Sequence, residues 1–414
     1  MNILWTNAGL LLPLDKGGKL RTWHLMRRLA RRHAITWLSF ARPDEPRANV
    51  DGMREVADRV VTVPRTDVSK GSVQFYTDAA RYLLDPQPYA VAKYRSREYE
   101  RTCVELMRRE RFDLIVCDFL PPAVNLPLRL ACPSVLFTHN VEAEIWRRHA
   151  ETARNPVKRA LLRAQWSRML AFERAALQRF DVALTVSDAD RATFERLYPG
   201  AARAYHVVPT GVDTEYFSPT NAGAQGKHLV FTGSMDWLPN EDGMLYFCSE
   251  ILPRIRHAEP DVTFSIVGRA PTPAVRRLAA DRGVEVTGRV DDVRPHVARG
   301  AVYIVPLRIG GGTRLKIFEA MALGKAVVST TVGAEGLPVT AGRDILLADD
   351  PAQFAAAVVH LLRDADARQR LGAAARRLVV ERYDWSAVAG EMERALVDAA
   401  GGDTASSPSM QATA

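Results

Sequence analysis

The stretch Val305-Pro306-Leu307-Arg308-Ile309-Gly310-Gly311-Gly312-Thr313-Arg314-Leu315-Lys316-Ile317-Phe318-Glu319 joins an apolar run to three glycines and then to a helical pattern. Glycines let the backbone approach a ligand closely, and free N–H groups at a helix start favour an anion. Arg314 and Lys316 add two cations at that place. A diphosphate suits them, since desolvating them without an anionic partner is costly. Glu319 follows Lys316 at i+3, so both can face the same side of the helix. The plainer account is a flexible loop followed by an exposed Lys–Glu pair, worth about 0.3–0.5 kcal/mol. The spacing matches neither G-x-x-x-x-G-K-[ST] nor G-x-G-x-x-G, so it supports neither a P-loop nor a dinucleotide fingerprint.

Two other places carry candidate chemistry. His139 ends the apolar strand Ser134–Thr138 and is followed by Asn140 and Glu142. A histidine at a strand's carboxyl end stands at a crevice rim, within reach of a ligand, but a hydrogen-bonded structural role fits it equally. Glu142 competes for the same site, or simply starts the next helix. Gly17-Gly18, flanked by Asp15, Lys16 and Lys19, either place N–H groups near phosphates or an acceptor or form a plain strand–helix turn.

The elements that must hold these residues are short apolar runs alternating with longer helical patterns. The runs predict strands at Asn2–Asn7, Ile35–Phe40, Val60–Pro64, Leu114–Asp118, Ser134–His139, Val182–Ser187 and Tyr205–Pro209. Six more follow at His228–Gly233, Thr263–Gly268, Val284–Gly288, Val302–Pro306, Ala326–Thr330 and Asp344–Ala348. Continuous apolar runs mark parallel strands buried on both faces, and repeated strand–helix–strand units imply doubly wound α/β sheets. A chain of 414 residues is too long for one core. The turn-rich stretch Ser218–Gly226 therefore predicts a first domain over 1–217 and a second over 218–384. A helix over 385–400 is expected to pack back on the first domain, and 401–414 to form a disordered tail. Ligand chemistry is expected where the strand carboxyl ends of the two sheets meet across a crevice.

Composition narrows the partners. The net charge of +8 falls unevenly: residues 1–215 hold 34 Lys/Arg against 25 Asp/Glu, the remainder 22 against 23. The excess lies in Arg21, Arg27, Arg28, Arg31 and Arg32 and in Arg154, Lys158, Arg159, Arg163 and Arg168, among others. Both runs have apolar residues at helical spacing, so they read as core-packed helices with a solvated basic face or as contacts to anionic lipid. No aromatic-interleaved basic stretch of the kind that stacks nucleic acid bases is present, so no nucleic acid partner is expected. The four cysteines are scattered with no C-x-x-C pair, which argues against a zinc site or disulfide framework and fits a reducing cytoplasm. No segment approaches a transmembrane span, and Met1–Asn7 lacks the basic start of a signal peptide.

The run Glu319-Ala320-Met321-Ala322-Leu323-Gly324-Lys325-Ala326-Val327-Val328-Ser329-Thr330, behind its strand, glycine loop and basic residue, resembles the donor-site signature of retaining GT-B glycosyltransferases of the group 1, or GT4, family. Other pieces fall in that family's order. Gly17-Gly18 resembles its N-terminal glycine loop, and Thr138-His139-Asn140 its active-site histidine. Val186-Ser187-Asp188, Pro209-Thr210-Gly211-Val212-Asp213, Ile266-Val267-Gly268 and Gly288-Arg289-Val290 match in kind and spacing. The run from Gly233 to Asn240 is similar to a subgroup linked to exopolysaccharide and exosortase loci.

The resemblance implies an α/β GT-B fold, two doubly wound Rossmann-like domains facing across a cleft. It implies retaining transfer of a hexose-like sugar from a UDP- or GDP-sugar to a saccharide or lipid-linked acceptor, in exopolysaccharide or glycolipid synthesis. The enzyme would be cytoplasmic or peripheral at the inner membrane face. No cofactor and no metal are implied, and the sequence offers no metal-ligand spacing. His139, Lys316 and Glu319 take the catalytic places, Glu319 on the ribose hydroxyls as second glutamate of a Glu-x7-Glu motif. Gly17, Gly18, Gly233, Ser234, Gly268, Arg289, Val290, Gly311, Gly312, Thr313 and Arg314 take the substrate-binding ones, Arg289 and Val290 through backbone groups under the base. Two departures stand out. The first glutamate of the motif is Gly311, so its contact to the sugar is made by backbone N–H groups or not at all. The family's Arg…Lys pair is replaced in Gly233–Asp242 by neutral and acidic residues, leaving Lys316 with Arg314 to neutralise a leaving diphosphate. The alternatives are a non-catalytic nucleotide-sugar-binding protein and a GT-B nucleotide-sugar epimerase.

Overall fold

The structure is a computed structural model that describes residues 1–15, 17–66, 85–153, 155–220, 226–309 and 315–401. The strands are β1 Asn2–Thr6, β2 Ala34–Ala41, β3 Arg59–Pro64, β4 Leu114–Asp118, β5 Ser134–Phe137, β6 Val182–Thr185 and β7 Tyr205–Val207, then β8 His228–Thr232, β9 Thr263–Val267, β10 Val284–Gly288, β11 Val302–Val305, β12 Ala326–Ser329 and β13 Leu346–Leu347. The helices that matter below are α1 Gly17–Leu29, α2 Arg97–Arg109, α3 Glu142–Thr152, α4 Pro156–Arg179, α5 Asp188–Leu197, α6 Leu238–Tyr246, α7 Leu315–Ala322, α8 Pro351–Arg363, α9 Ala365–Arg382 and α10 Trp385–Gly401.

The chain divides into two compact units, Met1–Pro209 with the residues from Ala389 onward, and Thr210–Val388. The first holds a seven-stranded sheet, β3-β2-β1-β4-β5-β6-β7, and the second a six-stranded sheet, β10-β9-β8-β11-β12-β13. Every strand pairing is parallel. That explains the continuous apolar runs: Ile3, Leu4, Trp5, Trp37, Ile115 and Val116 of the first sheet are fully buried, as are Leu229, Val230, Phe231, Tyr303 and Ile304 of the second. In each sheet the strand order reverses once, between β1 and β4 and between β8 and β11. The carboxyl ends flanking such a reversal form a crevice, the place where open α/β sheets bind ligands.

The division at Thr210 lies upstream of the Ser218–Gly226 turns expected to mark it. The reason is local: the Val212 N–H donates to the Tyr383 carbonyl, and Trp385 packs so close to Gly211 that a Cβ there would lie 2.6 Å from its ring. Gly401 closes α10, and the rest of the tail expected over 401–414 lies outside the described residues. Helix α10 is tied into the first unit where Glu393 meets Arg32 at 2.7 Å and His33 at 2.8 Å.

Candidate functional site

In the first unit the site is built at the reversal between β1 and β4. Asp118, the last residue of β4, is fully buried and accepts four hydrogen bonds. Its Oδ2 takes Trp5 Nε1 at 3.2 Å, Asn7 Nδ2 at 2.8 Å and Thr22 Oγ1 at 2.8 Å. Its Oδ1 meets His139 Nε2 at 2.7 Å. A carboxylate has only acceptor sites, so Nε2 carries the proton and donates. Burial pushes the His139 pKa down, with Asp118 working the other way and Arg21 adding to the depression. Burial thus favours the neutral imidazole, whose lone pair is on Nδ1. That atom is buried and without a hydrogen-bond partner, an arrangement that favours a hydroxyl donor from outside the chain.

Phe119 fixes the ring's plane. It follows Asp118 with φ 70°, a backbone region costing a bulky residue about 1–2 kcal/mol. Its ring stacks on His139 at 3.7 Å and 9°. A Cβ on Gly18 would come within 2.5 Å of Cζ at the tip of the Phe119 ring, so a side chain there would push that ring aside. Gly17 and Gly18 thus open α1 directly, and Gly18 makes room for the aromatic wall beside His139.

Three further residues shape this end of the sheet. Arg21 was expected on a basic helix face, but its side chain is turned inward and only 4% exposed, which lowers its pKa to about 10. Its Nε is buried without a partner. Glu142 starts α3, and burial raises its pKa. Glu173, on α4, caps that helix by accepting the Glu142 N–H at 2.9 Å and the Ala143 N–H at 3.3 Å, and takes the Tyr198 hydroxyl at 2.5 Å. Burial outweighs these bonds and lifts Glu173 to about 7. Folding thus raises its proton affinity, so its contribution to stability falls as pH rises from the ordinary carboxyl range through about 7.

In the second unit the site lies at the reversal between β8 and β11. The loops leaving β8, β9 and β10 are laced together: Gly233 N–H donates to Val267 O at 2.9 Å and Gly268 N–H to Gly288 O at 3.2 Å. Gly268 has φ 151°, and a Cβ on it would fall 1.7 Å from the Gly233 carbonyl oxygen, so no side chain fits. Lys316 enters from α7. Its Nζ donates to Asn240 Oδ1 at 2.7 Å and stands 4.1 Å from the centre of the Phe231 ring. Glu319 is half-buried one turn further along, and desolvation raises its pKa to about 7 while Lys316 pulls it down.

The expected residues are therefore divided. Gly17, Gly18 and His139 gather in the first unit; Gly233, Ser234, Gly268, Lys316 and Glu319 gather in the second. Arg289 is exposed and Val290 half-buried, just beyond the edge strand β10. Gly311, Gly312, Thr313 and Arg314 lie outside the described residues, as do Lys16 and Arg154. Asp118, Phe119, Arg21 and Asn240 were not singled out from the sequence. Asp118 left a signal there, a lone carboxylate closing an apolar strand. Among the described residues no three His, Cys, Asp or Glu side chains converge as a metal site, and no helix is long and apolar enough to cross a membrane.

Two family models match this chain in succession: Glycosyltransferase Family 4 over residues 16–216 and Glycosyl transferases group 1 over residues 226–364. The chain is similar to a phosphatidyl-myo-inositol mannosyltransferase of Mycolicibacterium smegmatis, 33% identical over 198 residues, or 45% of this chain and 50% of that protein. It is also similar to a GDP-mannose-dependent alpha-(1-6)-phosphatidylinositol monomannoside mannosyltransferase of Mycobacterium tuberculosis. That match is 29% identical over 256 residues, 55% of this chain and 65% of that one. The chain spans about half the length of the curated relatives it matches. Among solved structures it is similar to Anabaena Alr3699/HepE in complex with UDP and glucose, at a TM-score of 0.64 and 15% identity, covering 96% of this chain and 99% of that one. The two parallel-sheet units are those of the GT-B fold.

Proposed function

This chain belongs to the group 1, family 4 glycosyltransferases, and we propose that it moves a hexose-like sugar from a UDP- or GDP-sugar to a saccharide or lipid-linked acceptor with retention of configuration. The observation that carries the reading is the Lys316–Glu319 pair on α7, one turn apart beside glycines that leave no room for side chains. A nucleoside diphosphate matches that chemistry, with anionic oxygens for Lys316 and ribose hydroxyls for Glu319. As the bond from the sugar's anomeric carbon to the diphosphate oxygen breaks, the electron pair leaves with the diphosphate, and Lys316 with Arg314 offsets the charge that develops. A positioned cation such as Lys316 is usually the largest catalytic contribution in such a step. In the first unit, His139 Nδ1 is suited to accept a hydrogen bond from a hydroxyl of the transferred sugar and so to orient it.

A lipid-linked acceptor at an anionic membrane face, in glycolipid or exopolysaccharide synthesis, fits the charge excess of residues 1–215 and the surface of α4. There Val157 is 68% and Leu161 45% exposed beside the exposed Lys158 and Arg163. The names of the mannosyltransferase relatives, whose substrates are phosphatidylinositol lipids, support the same reading. Glu319→Ala tests the donor assignment. It is expected to weaken UDP and GDP binding alike by tenfold or more in calorimetric titration, because its contact is to ribose rather than base. Affinities within twofold of the parent for both nucleotides would remove Glu319 from the site.

A further inference from the structure

The stretch from Gly233 to Asp242, the loop leaving β8 and the first turns of α6, contains no lysine or arginine, yet an ammonium stands beside it. We infer that Asn240 is a positioning residue that holds Lys316 of α7 against the carboxyl end of β8 as the phosphate-facing cation of the second unit. This rests on the donor reading of that site.

The geometry is specific. An ammonium only donates, so the Asn240 amide oxygen faces Lys316 Nζ at 2.7 Å, and its nitrogen donates to the Ser234 carbonyl at 2.8 Å. Asn240 is buried in the first turn of α6. One amide therefore couples two elements, the β8 loop through Ser234 and α7 through Lys316. Its neutrality matters as much as its shape. An aspartate would still accept from Lys316 but would cancel the charge a diphosphate needs, and it would turn a carboxylate oxygen toward the Ser234 carbonyl. A leucine would remove the acceptor that Asn240 offers the ammonium. Gly233 completes the arrangement, since a Cβ there would lie 2.7 Å from Asn240 Nδ2 and 2.8 Å from Lys316 Nζ. The glycine that resembles a substrate contact thus acts by leaving space for the cation.

The test uses the full chain and four variants, Lys316→Gln, Asn240→Asp, Gly233→Ala and the double variant Asn240→Asp/Lys316→Gln. UDP, uridine, GDP and guanosine are the ligands, and thermal unfolding reports on folding. Asn240→Asp and Gly233→Ala are expected to lose tenfold or more in affinity for the diphosphate that the parent binds, and less than twofold for its nucleoside. A merely structural role would lower both together. The double variant is expected to be no weaker than Lys316→Gln within twofold, because both changes remove one interaction. If Lys316→Gln weakens diphosphate binding while Asn240→Asp and Gly233→Ala bind it within twofold of the parent, the positioning role is wrong and the donor reading stands. If Lys316→Gln itself leaves diphosphate affinity unchanged, the placement of the donor phosphates fails and the inference fails with it.

Discussion

Asp118 commits both carboxylate oxygens to its neighbours, and that fixes what His139 can do. With three donors on Oδ2 and the imidazole Nε2–H on Oδ1, the tautomer is set and Nδ1 is left as a buried acceptor. Asp118→Asn would present the imidazole with an amide that can donate, reversing the tautomer preference and leaving Nδ1 protonated. Turnover is expected to fall by two orders of magnitude or more, the usual scale for a lost positioned group. Affinity for UDP or GDP, which the proposal assigns to the other unit, should stay within twofold. Near-normal turnover in this variant would make the Asp118–His139 pair a structural contact only. At this scale the places of His139 just past a strand end and of Lys316 and Glu319 one turn apart on a helix were legible in the sequence. The inward turn of Arg21 was not, because a basic residue in an amphipathic run reads the same whether it faces solvent or core. The Asn240–Lys316 bond was not legible either, since it joins residues 76 apart in sequence.

Among the elements, the strands were the most legible, because burial on both faces leaves a continuous apolar run with no polar phase to confuse the reading. Helix starts were less so: Gly17 and Gly18 lie in the first turn of α1, and glycine carries no helix signal. The basic helices divide on inspection. Arg21 is internal and Arg32 is engaged with Glu393, whereas Arg27 and Arg31 are exposed. On α4 the exposed Val157 and Leu161 stand one turn apart beside Lys158 and Arg163. Each basic residue near an anionic membrane contributes about 1 kcal/mol, falling off over a Debye length. Replacing Arg27, Arg31, Lys158 and Arg163 by Gln is therefore expected to reduce sedimentation with anionic phospholipid vesicles at least tenfold, and raised salt to do the same to the parent. Binding absent from anionic vesicles at low salt, or equal on neutral ones, would leave these faces merely solvated.

The whole molecule joins two parallel sheets, of seven and six strands, that were anticipated from thirteen apolar runs. The turn-rich Ser218–Gly226 misled the division because turn residues mark a change of direction, while the division itself follows packing, here that of Gly211 and Val212 on Trp385 and Tyr383. The first unit holds a buried nitrogen beside the Phe119 ring, the second an ammonium bonded to Asn240 and a carboxyl that burial raises to about 7. The central claim is that this chain transfers a sugar. The most direct measurement is nucleoside diphosphate release from a panel of UDP- and GDP-sugars by the purified chain, with saccharides or phospholipid vesicles supplied as acceptors. At least one donor is expected to be consumed, at a rate that His139→Ala lowers a hundredfold or more while nucleotide binding persists. Nucleotide binding without consumption of any donor, or consumption untouched by His139→Ala, would contradict the account.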